Sequence, residues 1–141
     1  MTLLSLLAAG LLAGEELVVR WGVGPALRSL PDDAHVRARI ALVNRLRVVV
    51  PLLIVPTVVL TTIAVIRSGG ALAWTGLGVL ALFVVVTAVG TVPVNMRIAE
   101  WDPAHPPSEW AAEVRRWERI DVVRSSAAVA AFVVLLVGLV P

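Results

Sequence analysis

The chain has 141 residues, 59% of them hydrophobic and 16% charged, with a mean hydropathy of +0.93. A soluble domain of this size needs far more polar surface to cover its core, so the composition indicates a polytopic membrane protein: an all-α, four-helix integral membrane bundle formed by residues 1–141 as one domain. The absence of cysteine excludes disulfides and thiolate metal sites, and a net charge of +2 carried without lysine or tyrosine gives no basic, aromatic-bearing face for nucleic acid.

The first apolar run predicts a helix over residues 2–20. It lacks a basic leader region and a small-residue cleavage site, so it reads as a retained helix rather than a cleaved signal peptide. Gly10 and Gly14 form a small-x-x-x-small pair suited to helix packing in lipid. The second helix is expected over 34–67, after Pro31-Asp32-Asp33, where an aspartate can cap the N-terminus. Gly69-Gly70 separates it from a third helix over 71–98. Pro51 and Pro56 in the second and Pro93 in the third each remove a backbone donor, freeing carbonyls that polar neighbours or a cavity must meet. The stretch from Trp101 to Pro107 is too proline-rich for helix and reads as a rigid turn. Ser108 is placed to cap a fourth helix over 108–140. Each apolar part approaches the ~20 residues that span a bilayer.

Arginine placement predicts the orientation. Of the twelve, only Arg67 falls on the side that carries both termini; the other eleven lie at or near the opposite side. By the positive-inside rule that side is cytoplasmic, the termini face outward, and the location is a cell membrane crossed several times. Trp21, Trp101, Trp110 and Trp117 gather on the inner side and Trp74 on the outer, as an interfacial belt does. His35 and His105 fall near helix starts or in loops without a ligand partner at metal-binding spacing, and read as surface residues.

Charges inside the spans carry the functional interest, because a charge in hydrocarbon is costly unless paired or used. At ~1.5 Å rise per residue, Glu15 lies about 20 Å from the start of its helix and Arg124 about 24 Å from the end of the last, so the two share a depth. Trp110, Val114, Trp117, Asp121, Arg124, Ala128 and Ala131 follow alternating four-and-three spacing, one stripe that turns Asp121 and Arg124 into the bundle. Thr87, Thr91 and Asn95 make a second polar stripe, and Asn44 and Arg47 reach the same zone from the second helix. Glu16 has Arg20 one turn on, which predicts a helix-face ion pair. Glu15 has no local partner and is the better candidate for an internal partner such as Arg124, or for a pKa raised by desolvation.

The second half resembles the anthrone oxygenase-like family of four-helix membrane proteins. The resemblance rests on Thr91-Val92-Pro93-Val94-Asn95, Trp110, and the run Trp117-Glu118-Arg119-Ile120-Asp121-Val122-Val123-Arg124-Ser125. Family members carry V-P-x-N at the end of helix three and W-x-x-x-N-H-x-R-T in helix four. Trp117, Arg124 and Asn95 match, Ser125 replaces the usual threonine, and Asp121-Val122 replaces the asparagine-histidine pair. The segment Gly14-Glu15-Glu16-Leu17, with Trp21-Gly22-Val23 after it, is similar to a bacterial branch. The fungal members oxidise an anthrone to an anthraquinone with molecular oxygen.

The resemblance implies an oxygenase or related oxidoreductase of a lipophilic, aromatic or polyketide-type molecule, with oxygen as co-substrate and no cofactor specified. In that reading Glu15 is the base, Arg124 and Asp121 complete the catalytic set, and Asn95, Trp117, Asn44 and Thr91 bind substrate, with Asn95 stabilising the anion and Trp117 forming a stacking wall. A variant places a metal on Glu15, Glu16 and Asp121. The other expected partner is the lipid bilayer, with a homo-oligomer left open. Two competing readings are a small proton-coupled transporter, against which the arginine bias argues, and a non-catalytic scaffold whose polar network is structural.

Overall fold

Apolar runs with no internal water to satisfy their backbone can cross a bilayer only as helices or closed barrels, and the computed structural model, which describes residues 2–140, consists of helices and short connections with no strand among them. We number the helices α1 (Thr2–Arg28), α2 (Asp32–Ser68), α3 (Ala71–Ala99) and α4 (Trp110–Leu139). Each is long and apolar enough to span a membrane.

The helix ends differ from the sequence expectation in informative ways. Helix α1 continues to Arg28 instead of stopping at residue 20, because a π turn at Val19–Val23 absorbs Pro25. A second π turn at Thr87–Thr91 precedes Pro93 in α3. In both, the residue before the proline donates five positions back: Gly24 N–H to the Val19 carbonyl, and Val92 N–H to the Thr87 carbonyl. The widened turn gives the proline ring room where a regular helix would bring it against the carbonyl four residues earlier. In α2 no aspartate side chain caps the helix; Asp32 and Asp33 lie in its first turn, where they complement the helix dipole. In α4 the cap position is Glu109 rather than Ser108, and it too makes no side-chain cap bond.

The bundle is antiparallel and cyclic. Helix α1 packs on α2 and α4, α3 packs on α4 and α2, and the diagonal α2–α4 contact is slight. Three apolar layers stack along it. Leu6, Val65, Ala73 and Leu135 meet at the end that holds both chain termini. Leu12, Leu80, Phe83, Ala128 and Ala131 fill the middle. Val19, Val43, Leu46, Val50, Val94, Ile98 and Trp117 close the arginine-rich end. The α4 stripe predicted from spacing faces inward, with Val114, Trp117, Asp121, Arg124, Ala128 and Ala131 all buried.

Helices α3 and α4 form the closest seam. A Cβ at Gly138 would stand 2.7 Å from the Ala73 backbone nitrogen, and one at Gly76 would stand 2.7 Å from Leu135 Cγ. Of the glycine pair expected to pack α1, a Cβ at Gly10 would stand 3.2 Å from the Phe132 ring, whereas one at Gly14 would meet nothing within 4 Å. The connection before α4 is pinned locally: Asp102 accepts from the Ala104 amide at 2.9 Å and pairs with His105 at 3.2 Å, and these contacts hold its carboxyl below the usual range. His105 is exposed, as its position implied.

Gly138→Val should therefore destabilise the bundle by about 1–3 kcal/mol through forced separation of α3 and α4. Gly14→Ala should be neutral or slightly stabilising. Thermal unfolding in detergent checks both; equal stability of the two variants would contradict the seam.

Candidate functional site

The centre of the polar cluster is an ion pair between α1 and α4. Arg124 Nε donates to Glu16 Oε2 at 3.1 Å, and Arg124 Nη2 lies 2.8 Å from Glu16 Oε1, off the hydrogen-bond axis. Neither residue is more than 1% exposed. Asp121 Oδ1 stands 3.5 Å from the same Nη2, and the guanidinium lies 5.8 Å from the Phe83 ring centroid. Glu15 lies beside this pair, both of its oxygens shielded from solvent and without a hydrogen-bond partner among the described residues.

The depth expected for this contact is met, but the glutamates exchange roles. Glu16, not Glu15, meets Arg124, and Glu16 does not pair with Arg20. A carboxylate with no exposed surface needs a cation inside the bundle, and Arg124 supplies it with two nitrogens. Arg20 instead crosses to α4, donating from Nη1 to Ser125 Oγ at 3.2 Å and Ser126 Oγ at 3.0 Å.

A second polar string runs toward the arginine-rich end. Trp117 Nε1 donates to Asn95 Oδ1 at 2.7 Å. An indole nitrogen can only donate, so Asn95 must offer its oxygen to Trp117 and keep its amide hydrogens for other partners. Arg39 stacks over the Trp117 ring at 5.0 Å, and its Nη2 lies 3.4 Å from Glu118 Oε1 and 3.2 Å from His35 Nε2. Glu118 also accepts from Arg28 at 3.1 Å, and His35 meets the Trp110 ring edge-on at 5.3 Å. His35 is thus a buried network residue, not the surface residue expected. Arg39, fully buried, was not anticipated at all. Its signal was present in the three-and-four spacing of Val36, Arg39, Val43, Leu46 and Val50, all of which are buried.

Between α2 and α3 lies a cavity of about 480 Å³. Val50, Pro51, Ile54 and Val92 give it apolar walls, while Asn44, Thr91, Asn95 and Arg124 reach it from the expected site set. Arg47 and Glu100 also border it, and Thr87 contributes from the π turn. Glu15, Glu16, Asp121 and Trp117 do not line it. Trp117 therefore provides no wall there and touches the cavity only through Asn95. The carboxylates stand behind Arg124, which alone of the cluster faces the cavity.

The metal variant is not supported by the donor geometry. Among the described residues no group of three His, Asp or Glu side chains is disposed to hold an ion, and Glu16, one of the three expected ligands with Glu15 and Asp121, is taken up by Arg124. The arrangement suits a different task. It presents a guanidinium, paired from behind, and an oriented amide to an apolar space, the donors that stabilise an anion formed there.

Arg124→Met should cost about 3–5 kcal/mol of stability by leaving Glu16 buried without its cation. Adding Glu16→Gln should recover a large part of that loss. Chemical unfolding of the two variants in detergent checks this, and additive losses would show that the pair is not coupled.

No curated protein and no solved structure matches this chain. A family model does: anthrone oxygenase, over residues 40–134, which takes in most of α2, all of α3 and most of α4. That match includes the cavity walls and Arg124 but not Glu15 or Glu16, and with two thirds of its length matched the chain belongs to the anthrone oxygenase family.

Proposed function

We propose that the protein is a membrane-embedded oxygenase acting on a lipophilic aromatic molecule of the anthrone type, bound in the α2–α3 cavity. One observation carries this reading: an apolar cavity of about 480 Å³ in a bundle of membrane-spanning length ends on Arg124 and the Asn95 amide. A flat, poorly water-soluble ring system fits such walls, and the two donors fit the oxygen on which charge appears when the substrate is deprotonated.

In this reading the substrate loses a proton from the methylene between its rings, and the charge spreads onto the ring-ketone oxygen facing Arg124 and Asn95. The carbanion adds its electron pair to one atom of dioxygen, forming the carbon–oxygen bond. Loss of water from the resulting hydroperoxide leaves the second ketone. The carbon gives up four electrons and dioxygen accepts four, so one oxygen atom ends in product and the other in water, with no outside reductant. The carboxylates stand behind Arg124 and outside the cavity lining, so the proton passes to them by way of a water beside the guanidinium. Of the three, Glu15 alone makes no ion pair with Arg124, and we assign it as base. Asp121 supports Arg124 from one turn earlier, while Asn44 and Thr91 contact the bound ring system.

The arginine-rich end, where Asn44, Arg47 and Glu100 border the cavity, is cytoplasmic by the positive-inside rule, which places both termini outside and the protein in the cell membrane.

The test is oxygen uptake and anthraquinone formation from anthrone by protein in nanodiscs, measured above spontaneous oxidation. Wild type should accelerate the reaction. Arg124→Lys and Asn95→Leu should each slow it by about 100-fold, the usual loss for an oxyanion donor, and Glu15→Gln should abolish the excess over background. Folded variants that keep the wild-type rate would refute these roles, and an inactive wild type would refute the substrate class.

A further inference from the structure

A second groove, of about 480 Å³, lies on the outer face between α1 and α4, away from the cavity already described. Its walls are Leu17 from α1 and Val129, Ala130, Val133 and Val134 from α4. At one end stand Arg20, Ser125 and Ser126. The apolar part runs along α4 from Val129 to Val134, about 7.5 Å of rise.

Arg20 borders this groove with its charge unpaired. Its expected partner, Glu16, is committed to Arg124, and no carboxylate lies within ion-pair distance of Arg20 among the described residues. Asp121 is near enough to act on it only at longer range. Nη1 is held by the two serine hydroxyls, and the guanidinium lies 5.0 Å from the centroid of Trp21, a ring 68% exposed. The Nε and Nη2 donors make no hydrogen bond to protein among the described residues. Eighteen residues beyond Thr2, Arg20 sits about 27 Å along α1, at the edge of a ~30 Å hydrocarbon core. That is headgroup depth, and Trp21 is the kind of ring that anchors there.

We propose that this groove binds one anionic phospholipid from the leaflet at the arginine-rich end. Its phosphate is received by the free donors of Arg20, with Ser126 beside them, and one acyl chain lies along Val129, Val133 and Val134. The uncompensated charge of Arg20 selects an anionic headgroup over a zwitterionic one, since a guanidinium gains most from a phosphate whose charge is not already balanced within the same headgroup. This inference stands apart from the oxygenase reading and uses none of its residues.

The experiment is native mass spectrometry of the purified full chain with added phosphatidylglycerol or phosphatidylcholine. Wild type should retain phosphatidylglycerol in preference to phosphatidylcholine. Arg20→Gln should weaken that retention about fivefold, while Arg116→Gln, which removes an equal charge from an exposed position at the same end, should leave it unchanged. Ala130→Phe, which fills the groove without touching the charge, should also weaken retention, and it decides the matter if Arg20→Gln does not fold. Equal losses for the two arginine variants, equal retention of the two lipids, or full retention by Ala130→Phe would each overturn the proposal. So would a wild-type dimer that Ala130→Phe dissociates, since the groove would then belong to a second copy of the chain.

Discussion

The Glu16–Arg124 pair is the constraint around which the rest of the bundle is arranged. Two groups with almost no exposed surface, on the first and last helices, can persist in hydrocarbon only if each has the other. Their contact sets the height and rotation of α1 against α4. It also holds Arg124 where its guanidinium can border the α2–α3 cavity while its charge is balanced from behind. A cation balanced in this way can meet a neutral molecule that later becomes an anion, without first being buried alone. Stability and the proposed chemistry therefore depend on the same two side chains.

The two ends of the molecule are built differently. At the end that holds both termini, Gly76 and Gly138 bring α3 and α4 to backbone contact, and the layer is apolar apart from the buried hydroxyls of Ser5 and Thr61. At the arginine-rich end the helices are separated by the cavity and laced by longer side chains, from His35 through Arg39 and Trp117 to Asn95. Trp117 shows the economy of that lacing: one indole receives a guanidinium on its face and orients an amide from its edge. An amide fixed in this way presents its donors with little entropy left to lose, the condition under which a hydrogen bond to a developing charge is most effective.

Much of this was legible in the chain itself. Hydropathy located the four helices, and the heptad-like spacing of α4 turned Asp121 and Arg124 inward because a helical period converts directly into a face. The choice between Glu15 and Glu16 was not legible. Adjacent residues point about 100° apart, and which of them faces α4 depends on how the two helices pack. The local rule favouring Glu16 with Arg20 lost to the demand of a fully buried carboxylate. Arg39 escaped notice for another reason: arginines near a helix end count toward orientation, and only the phase of its apolar neighbours shows that this one is inside. The π turns were hidden as well, since Pro25 reads as a helix end unless the preceding turn can widen.

Those widened turns have a consequence for how the family can vary. A π turn is an α-helix carrying one surplus residue, so a single deletion within Val19–Val23 or Thr87–Thr91 would leave the helix intact and of nearly the same length. Because the residue five positions on already takes the place that the fourth holds in a regular turn, the side chains beyond would keep their faces. In α3 Asn95 would still meet Trp117, but Pro93 would be brought against the carbonyl four residues earlier. Relatives one residue shorter in these segments would thus keep the buried ion pair and the cavity only where the proline that follows is also replaced.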